Sequence, residues 1–358
     1  MKKVISLCVL INLGCNFLHA QLAPKYSNEF LAVGVGARNA GMGDAIISNI
    51  NDVTSGYWNP AGLVDIKDNV QVSLMHNEQF AGIGKHDYGA ASLKLNDNST
   101  IALSVIRYGV DDIPNTLNLI QNGQIDYSRI TNFSTVDWGF IGSYSTRTKI
   151  EGLNIGANVK VIRRVVGEFA NSWGFGLDVG AQYKLKDWMF GLMVRDVTST
   201  FNVWSFTFTP EQKQVLLASQ NELPHNTLEL TVPKIIFGVS RKWMLFNNKF
   251  SVLPAIDFDY STDGQRNVAI HSKYFNLDPK IGLEIGYANI VFLRGGMNNF
   301  QQQKDITGKV STAFTPVVGV GLKLNNLSID YALSNVGGVA ATPYSNIISL
   351  RLNINKKG

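Results

Sequence analysis

From Val70 to the C-terminus, apolar residues fall at every second position in one segment after another. In the clearest case, Trp173-Phe175-Leu177-Val179-Ala181-Tyr183-Leu185 forms one face, and Gly174-Gly176-Asp178-Gly180-Gln182-Lys184 forms the other. A period of two marks a strand whose faces meet different surroundings. The pattern predicts strands at 70–78, 86–97, 99–110, 135–149, 152–165, 172–186, 188–200, 234–245, 250–262, 280–288, 290–298, 314–325, 327–338 and 345–355. The strand-like stretch 267–277 is placed in a loop extension, which keeps the number even. Apolar faces such as Phe250-Val252-Pro254-Ile256-Phe258-Tyr260, Ile281-Leu283-Ile285-Tyr287 and Leu327-Ile329-Tyr331-Leu333 are expected to face outward. Their neighbours Ser251, Asp257, Asp259, Ser328, Asp330 and Ser334 would line the lumen.

A wall with lipid on one side and water on the other must pair every backbone N–H and C=O within itself, so it has to close on itself. The fold expected is therefore all-β: a transmembrane outer-membrane barrel of about fourteen antiparallel strands. The connections sort accordingly. Asn96-Asp97-Asn98, Lys149-Ile150-Glu151, Lys186-Asp187, Phe246-Asn247-Asn248-Lys249, Ala288-Asn289 and Asn325-Asn326 are tight turns of residues that suit turn geometry and water. Between them lie the long connections 111–134, 201–233, 263–279 and 299–313, with shorter ones at 79–85, 166–171 and 339–344. Tight turns below and long loops above place both termini in the periplasm. Trp138, Trp173, Trp188, Trp243, Tyr287 and Tyr331 suit interface girdles, with ordinary packing as the alternative for each.

The first residues add export. Lys2-Lys3 precede an apolar run from Val4 to Leu18, and Leu18-His19-Ala20 puts a small residue before a cut at Gln21, so 1–20 reads as a signal peptide. Both cysteines, Cys8 and Cys15, fall in it, which leaves the mature chain without disulfides or Cys-bound metal. Apolar content is 45% and charged content 16%, with 33 Gly and 19 Phe, as in an aromatic-rich β protein with many turns. The formal charge of +5 is too weak and too scattered to point to nucleic acid.

Residues 21–69 do not alternate, and 70–358 carry the barrel. Glycines at 34, 36, 41 and 43 permit tight bends around Arg38 and Met42, and Asn59-Pro60-Ala61 makes a rigid turn near the end. A phosphate-loop reading lacks the Lys-Ser/Thr and the third spaced Gly. A barrel this wide needs filling, so the segment is read as a plug, or hatch, entering from the periplasmic side. Arg38 is expected to pair with Asp178, Asp257, Asp259 or Asp330.

The run GVGARNAGMGDAIISNINDVTSGYWNPAGL, Gly34 to Leu63, resembles the N-terminal signature of the PorV/PorQ family of type IX secretion outer-membrane proteins. Ala37-Arg38 with Gly41-Met42-Gly43-Asp44-Ala45 looks closer to PorV. Gly282-Leu283-Glu284-Ile285-Gly286-Tyr287 and Leu293-Arg294-Gly295-Gly296 resemble the family's late strand pair. The family is related to FadL-type long-chain fatty acid transporters, which carry a similar Asn-Pro-Ala segment in their hatch. The resemblance covers essentially the whole chain. It implies a FadL-like barrel that engages secreted cargo through the cargo's C-terminal signal domain, or partners the large translocon barrel. The alternative it implies is a transporter of long-chain fatty acids or other hydrophobic small molecules, which would leave sideways through the wall. One departure is the C-terminus, which lacks a terminal aromatic and leaves the register of the last strand open.

Catalysis finds little support. His76 and His86 flank the first loop and are close enough in sequence to meet, although two loop histidines are more often simply solvated. No enzyme motif is present, and no cofactor is expected. Binding is better supported in two loops. Leu117, Leu119 and Ile120 punctuate the first, and Trp204, Phe206 and Phe208 precede a short helix predicted from Pro210 to Leu217. Exposed apolar stretches of this size mark a protein partner, a lipid or a ligand, unless they fold inward and cap the barrel. Polar inner faces favour a plugged scaffold over a lipid carrier. Ile141, Leu253 and Met189 keep the carrier open, since it needs an apolar inner pocket and a base.

Overall fold

The computed structural model describes residues 27–121, 124–220, 222–304, 308–336 and 344–355. The predicted signal peptide lies outside the described residues. From Val70 the chain forms a closed antiparallel barrel of fourteen wall strands: β1 (Val70–Gln79), β2 (Gly84–Asn96), β3 (Ser99–Asn115), β4 (Thr131–Arg147), β5 (Leu153–Val166), β6 (Ala170–Leu185), β7, β8, β9 (Phe250–Ser261), β10 (Asn276–Tyr287), β11 (Val291–Lys304), β12 (Val310–Leu324), β13 (Leu327–Ser334) and β14 (Ser345–Ile354). Two wall strands are segmented. β7 comprises Trp188–Arg195 and Thr200–Phe206, and β8 comprises Leu228–Thr231, Lys234–Arg241 and Trp243–Leu245. Each strand pairs with the next, and β14 closes on β1 from Val70↔Ile354 to Glu78↔Asn346, which settles the register of the last strand.

The outward side chains explain why this surface belongs in lipid. Leu74, Leu103, Trp173 and Leu293 are each more than half exposed, and comparable apolar residues ring the barrel. Such a belt is tolerated where acyl chains cover it. At one end the strands turn tightly, and Asn247, Asn289 and Asn325 take left-handed φ values of 55°, 55° and 47°. The opposite, long-loop end carries the extensions.

Several boundaries differ from the sequence reading. β4, β10, β11 and β12 begin earlier or run longer, because hairpin pairing continues past the membrane-spanning part. Ile270–His271, placed in a loop, pairs with the start of β10. The expected loop 201–233 is shorter: wall pairing resumes at Thr200–Phe206 and again at Leu228–Thr231. His76 and His86 do not meet. They lie on opposite faces, His76 outside against Asp87 at 2.7 Å and His86 inside and 1% exposed. In the β1–β2 register His86 stands opposite Asn77, so His76 and His86 fall on opposite parity.

The core of the molecule is the filled lumen. Residues 27–69 lie inside the barrel as short turns, including α1 (Ala37–Gly41) and α2 (Ser55–Trp58). Val35, Met42, Ile46, Ile47, Ile50, Val53 and Leu63 are buried there against inward residues such as Met75, Ile106, Ile141, Ile162 and Met193.

Candidate functional site

The plug is held by its backbone. Asp257 of β9 accepts from the N–H groups of Ile46 (2.6 Å) and Ile47 (2.9 Å). Gln71 accepts from Val53 N–H at 2.6 Å, Ser349 from Ala37 N–H at 3.0 Å, and Gln182 donates to the carbonyls of Ile47 and Ile50. Wall side chains thus satisfy turn backbone that would otherwise be buried unpaired. Inward glycines let the two backbones meet: a Cβ at Gly282 would lie 2.2 Å from the Met42 carbonyl oxygen, and one at Gly191 2.4 Å from that of Ile47.

The signature residues all sit in this plug. Gly34 and Gly36 have φ of 85° and 89°, where any other residue would be strained. Gly41 packs on Gly319, and Gly43 on the backbone of Ile281 and Met297. Met42 and Ala61 are fully buried, and Pro60 lies against Gly156. Asn59 donates to the carbonyls of Ile47 (3.1 Å) and Ala181 (3.0 Å) and accepts from Ala61 N–H, so it bridges the plug turn and the wall. Trp58 donates to the Val35 carbonyl at 2.9 Å.

Arg38 pairs with Glu284 at 3.0 Å and with none of the four aspartates expected. Each of those is engaged elsewhere: Asp178 by Lys160, Asp257 by plug backbone, Asp259 by Lys234 and Lys280, and Asp330 by Arg294. Glu284 follows Gly282 on the inward face of β10, so its position was visible in the alternation. On the plug, burial disfavours the Asp52 carboxylate, but Arg351 and Arg38 outweigh it and hold Asp52 below the usual range. Burial also pushes Asp44 up, to about 6, against the opposing pull of Lys280.

The wall is least regular at β7. Between Val194 and Phe201 the chain takes seven steps, while β6 takes four from Val179 to Phe175. On the β8 side, Arg195 to Thr200 is five steps against three from Lys234 to Thr231. Residues 196–199 therefore form a multi-residue bulge. Opposite it, Pro233 has no N–H to give the ladder. An ion cluster closes the break on the lumen side. Lys160 Nζ reaches Asp178 at 2.7 Å and Asp196 at 2.5 Å, Thr200 donates its hydroxyl to Asp196, and Asp196 N–H donates to Asp178 at 2.9 Å. Beside the break lies a cavity of about 70 Å³ whose lining includes Leu31, Tyr57, Ile141, Lys160, Asp178 and Asp196.

The expected loop residues divide. Trp204 and Phe206 stand on β7 and turn inward, and Trp204 donates to Glu229 at 3.0 Å beneath the Arg164 guanidinium. Phe208 stacks on Phe169, which meets Phe133 edge-on. The predicted helix forms as α3 (Pro210–Ala218), started by a capping box of Thr209 and Gln212. Gln212 reaches Glu168 at 3.0 Å, so α3 is tied over the β5–β6 hairpin. Leu117 and Leu119 are half-buried in the β3–β4 loop, and Ile120 is exposed there, apart from the aromatic group. The described residues contain no group of three or more His, Cys, Asp or Glu placed to hold a metal.

No family model matches the chain, and no curated protein matches its sequence. Solved structures do match. The Pseudomonas putida toluene transporter TodX aligns over 90% of this chain and 98% of its own, with a TM-score of 0.60 at 14% identity. The fold is FadL-like. The CymD monoaromatic hydrocarbon channel covers 90% of this chain and 98% of its own (TM-score 0.58, 12% identity), and a Pseudomonas aeruginosa FadL homologue covers 88% and 97% (TM-score 0.53, 12% identity). The first of these is a toluene transporter and the second a monoaromatic hydrocarbon channel.

Proposed function

We propose that this protein is an outer-membrane channel that admits small hydrophobic molecules at the long-loop end and releases them sideways through the break in β7. One observation carries this reading: the wall is interrupted beside a lumenal cavity, with Trp204, Phe206 and the Phe133–Phe169–Phe208 group at the long-loop end of the same strands. The similarity to hydrocarbon channels supports it over the secretion role implied by the signature. So does the fate of the apolar loop, since Trp204, Phe206 and Phe208 are occupied by the barrel and its own hairpin.

Three of the four bases at the cavity are neutralised, which suits a neutral molecule more than a fatty acid. Lys160, Lys234 and Arg266 at the cavity are already paired with Asp178, Asp259 and Asp263, and Arg195 donates to the Leu31 and Tyr57 carbonyls. That leaves Arg195, whose Nε is buried without a partner, as the one cation of the cavity lining with no acidic partner among the described residues. The cavity of about 70 Å³ is also small: one of about 150 Å³ holds benzene, twice what stands here. Passage therefore requires the Lys160–Asp178–Asp196 cluster to part.

The test is uptake of radiolabelled toluene and of oleate by cells expressing the full chain. Deleting Val197 and Thr198 removes the two extra residues on the β8 side. Toluene uptake should fall to background while the barrel keeps its heat-modifiable gel shift. Undiminished uptake would move the exit elsewhere, and absence of uptake by the unaltered protein would end the channel reading.

A further inference from the structure

At the tight-turn end, on the far side of the plug from the mouth, two adjoining cavities of about 440 and 220 Å³ share Asn51, Asp52, Lys242, Asn289, Lys323 and Arg351. Their charges do not balance. Seven basic side chains line the pair (Arg38, Lys67, Lys242, Lys249, Arg294, Lys323 and Arg351) against five acidic ones (Asp52, Asp65, Asp68, Glu284 and Asp330). Every acidic group is engaged without the lysines of the recess. Asp52 pairs with Arg351, Asp65 with Lys184 and Arg147, Glu284 with Arg38 and Arg294, and Asp330 with Arg294. Asp68 accepts from Asn355 at 2.8 Å. Among the described residues, Lys67, Lys242, Lys249 and Lys323 form no ion pair, and Asn248 and Asn289 add neutral donors beside them.

Unpaired like charges gathered around a concavity repel one another and focus a positive potential into it. Lys242 and Lys323 continue the inward faces of β8 and β12, while their outward neighbours Trp243 and Leu322 face lipid. The recess therefore looks into the lumen mouth, away from phospholipid headgroups. Its lysines are spread from β8 to β12, four strand spacings, or about 19 Å of wall at about 4.8 Å each. That spread suits several carboxylates along an extended chain better than one small anion.

We propose that this recess docks an extended acidic segment of a periplasmic protein. The proposal shares with the channel reading only the orientation of the barrel. The test uses the full chain in nanodiscs of zwitterionic lipid and a fluorescent hexaglutamate peptide as probe. Binding should saturate at low salt and weaken steeply between about 50 and 200 mM salt. The variant K242S/K249S/K323S should bind about tenfold or more weakly, with its gel shift intact. K85S/K213S/K273S, altered at the opposite end, should bind as before. Toluene uptake by the first variant should be unchanged, so the two readings fail separately. Equal binding by both variants, no saturation by the unaltered protein, or full displacement by inorganic phosphate at matched ionic strength would each overturn the proposal.

Discussion

Strands β3 and β7 cross the same wall and meet the same lipid, yet they are built differently. β3 is paired on both sides without a register shift from Thr100 to Val110, and its outward residues Ile101, Leu103 and Val105 keep one parity. β7 starts in the same way, with Phe190, Leu192 and Val194 outward. After residues 196–199 its outward residues are Phe201 and Val203, on the other parity. β8 changes phase at the same level, from Leu228 and Leu230 to Ile235 and Phe237. A phase change needs extra residues, and extra residues remove ladder hydrogen bonds. The comparison separates wall that only holds from wall that is able to yield, and it places the yielding part beside a lumenal cavity that includes Lys160.

The sharpest way to break the comparison is to shorten both strands equally. Removing Leu103 and Ser104 from β3 slips its register against β2 and β4 together. No folded barrel should form, as read by loss of the heat-modifiable gel shift. Removing Val197 and Thr198 from β7 should leave that shift in place. If the two deletions behave alike, β7 is no softer than β3. A smaller effect is expected at the ion cluster. Lys160→Met keeps the length of the side chain and leaves Asp178 and Asp196 facing each other without a cation. Removing one partner from a buried ion group costs about 3–5 kcal/mol. The cost should fall on the closed state of the break, so toluene uptake should rise while the melting temperature drops. A drop in melting with no change in uptake would make the cluster structural only.

Much of this was legible in the sequence, and what was missed has physical reasons. Alternation was sufficient for the strands, their number and the two kinds of connection, because one buried and one lipid-facing side impose a period of two. The phase change in β7 was equally present in the run from Phe190 to Val203, but a strand drawn as one piece from 188 to 200 hides it. The plug seats were not legible: Gly191 and Gly282 are inward glycines because plug backbone lies where a Cβ would be. Which carboxylate meets Arg38 was not legible. That choice depends on Lys160, Lys234, Lys280, Arg294 and the plug's own N–H groups engaging the other four, which is a property of the assembled lumen.

The smallest effect tests whether exit runs through the wall or past the plug. Asp44 sits on the plug, accepts from Asn298 at 3.1 Å, and has its carboxyl pushed by burial from 3.8 to about 6. A carboxyl with a raised value binds its proton more tightly folded than unfolded. Its contribution is therefore fully present below about pH 3.8, is lost as pH rises towards 6, and stays lost above that. Asp44→Asn removes the loss. It should stabilise the plug at pH 7 by at most about 3 kcal/mol, less because Asp44 keeps some contact with water, and by almost nothing at pH 4. Denaturant-induced appearance of ion conductance in a planar bilayer measures this directly. If hydrophobic molecules leave through β7, the tighter plug changes that conductance and leaves toluene uptake at pH 7 as it was. If uptake falls with the conductance, the plug is the gate and the break in β7 is only a scar in the wall.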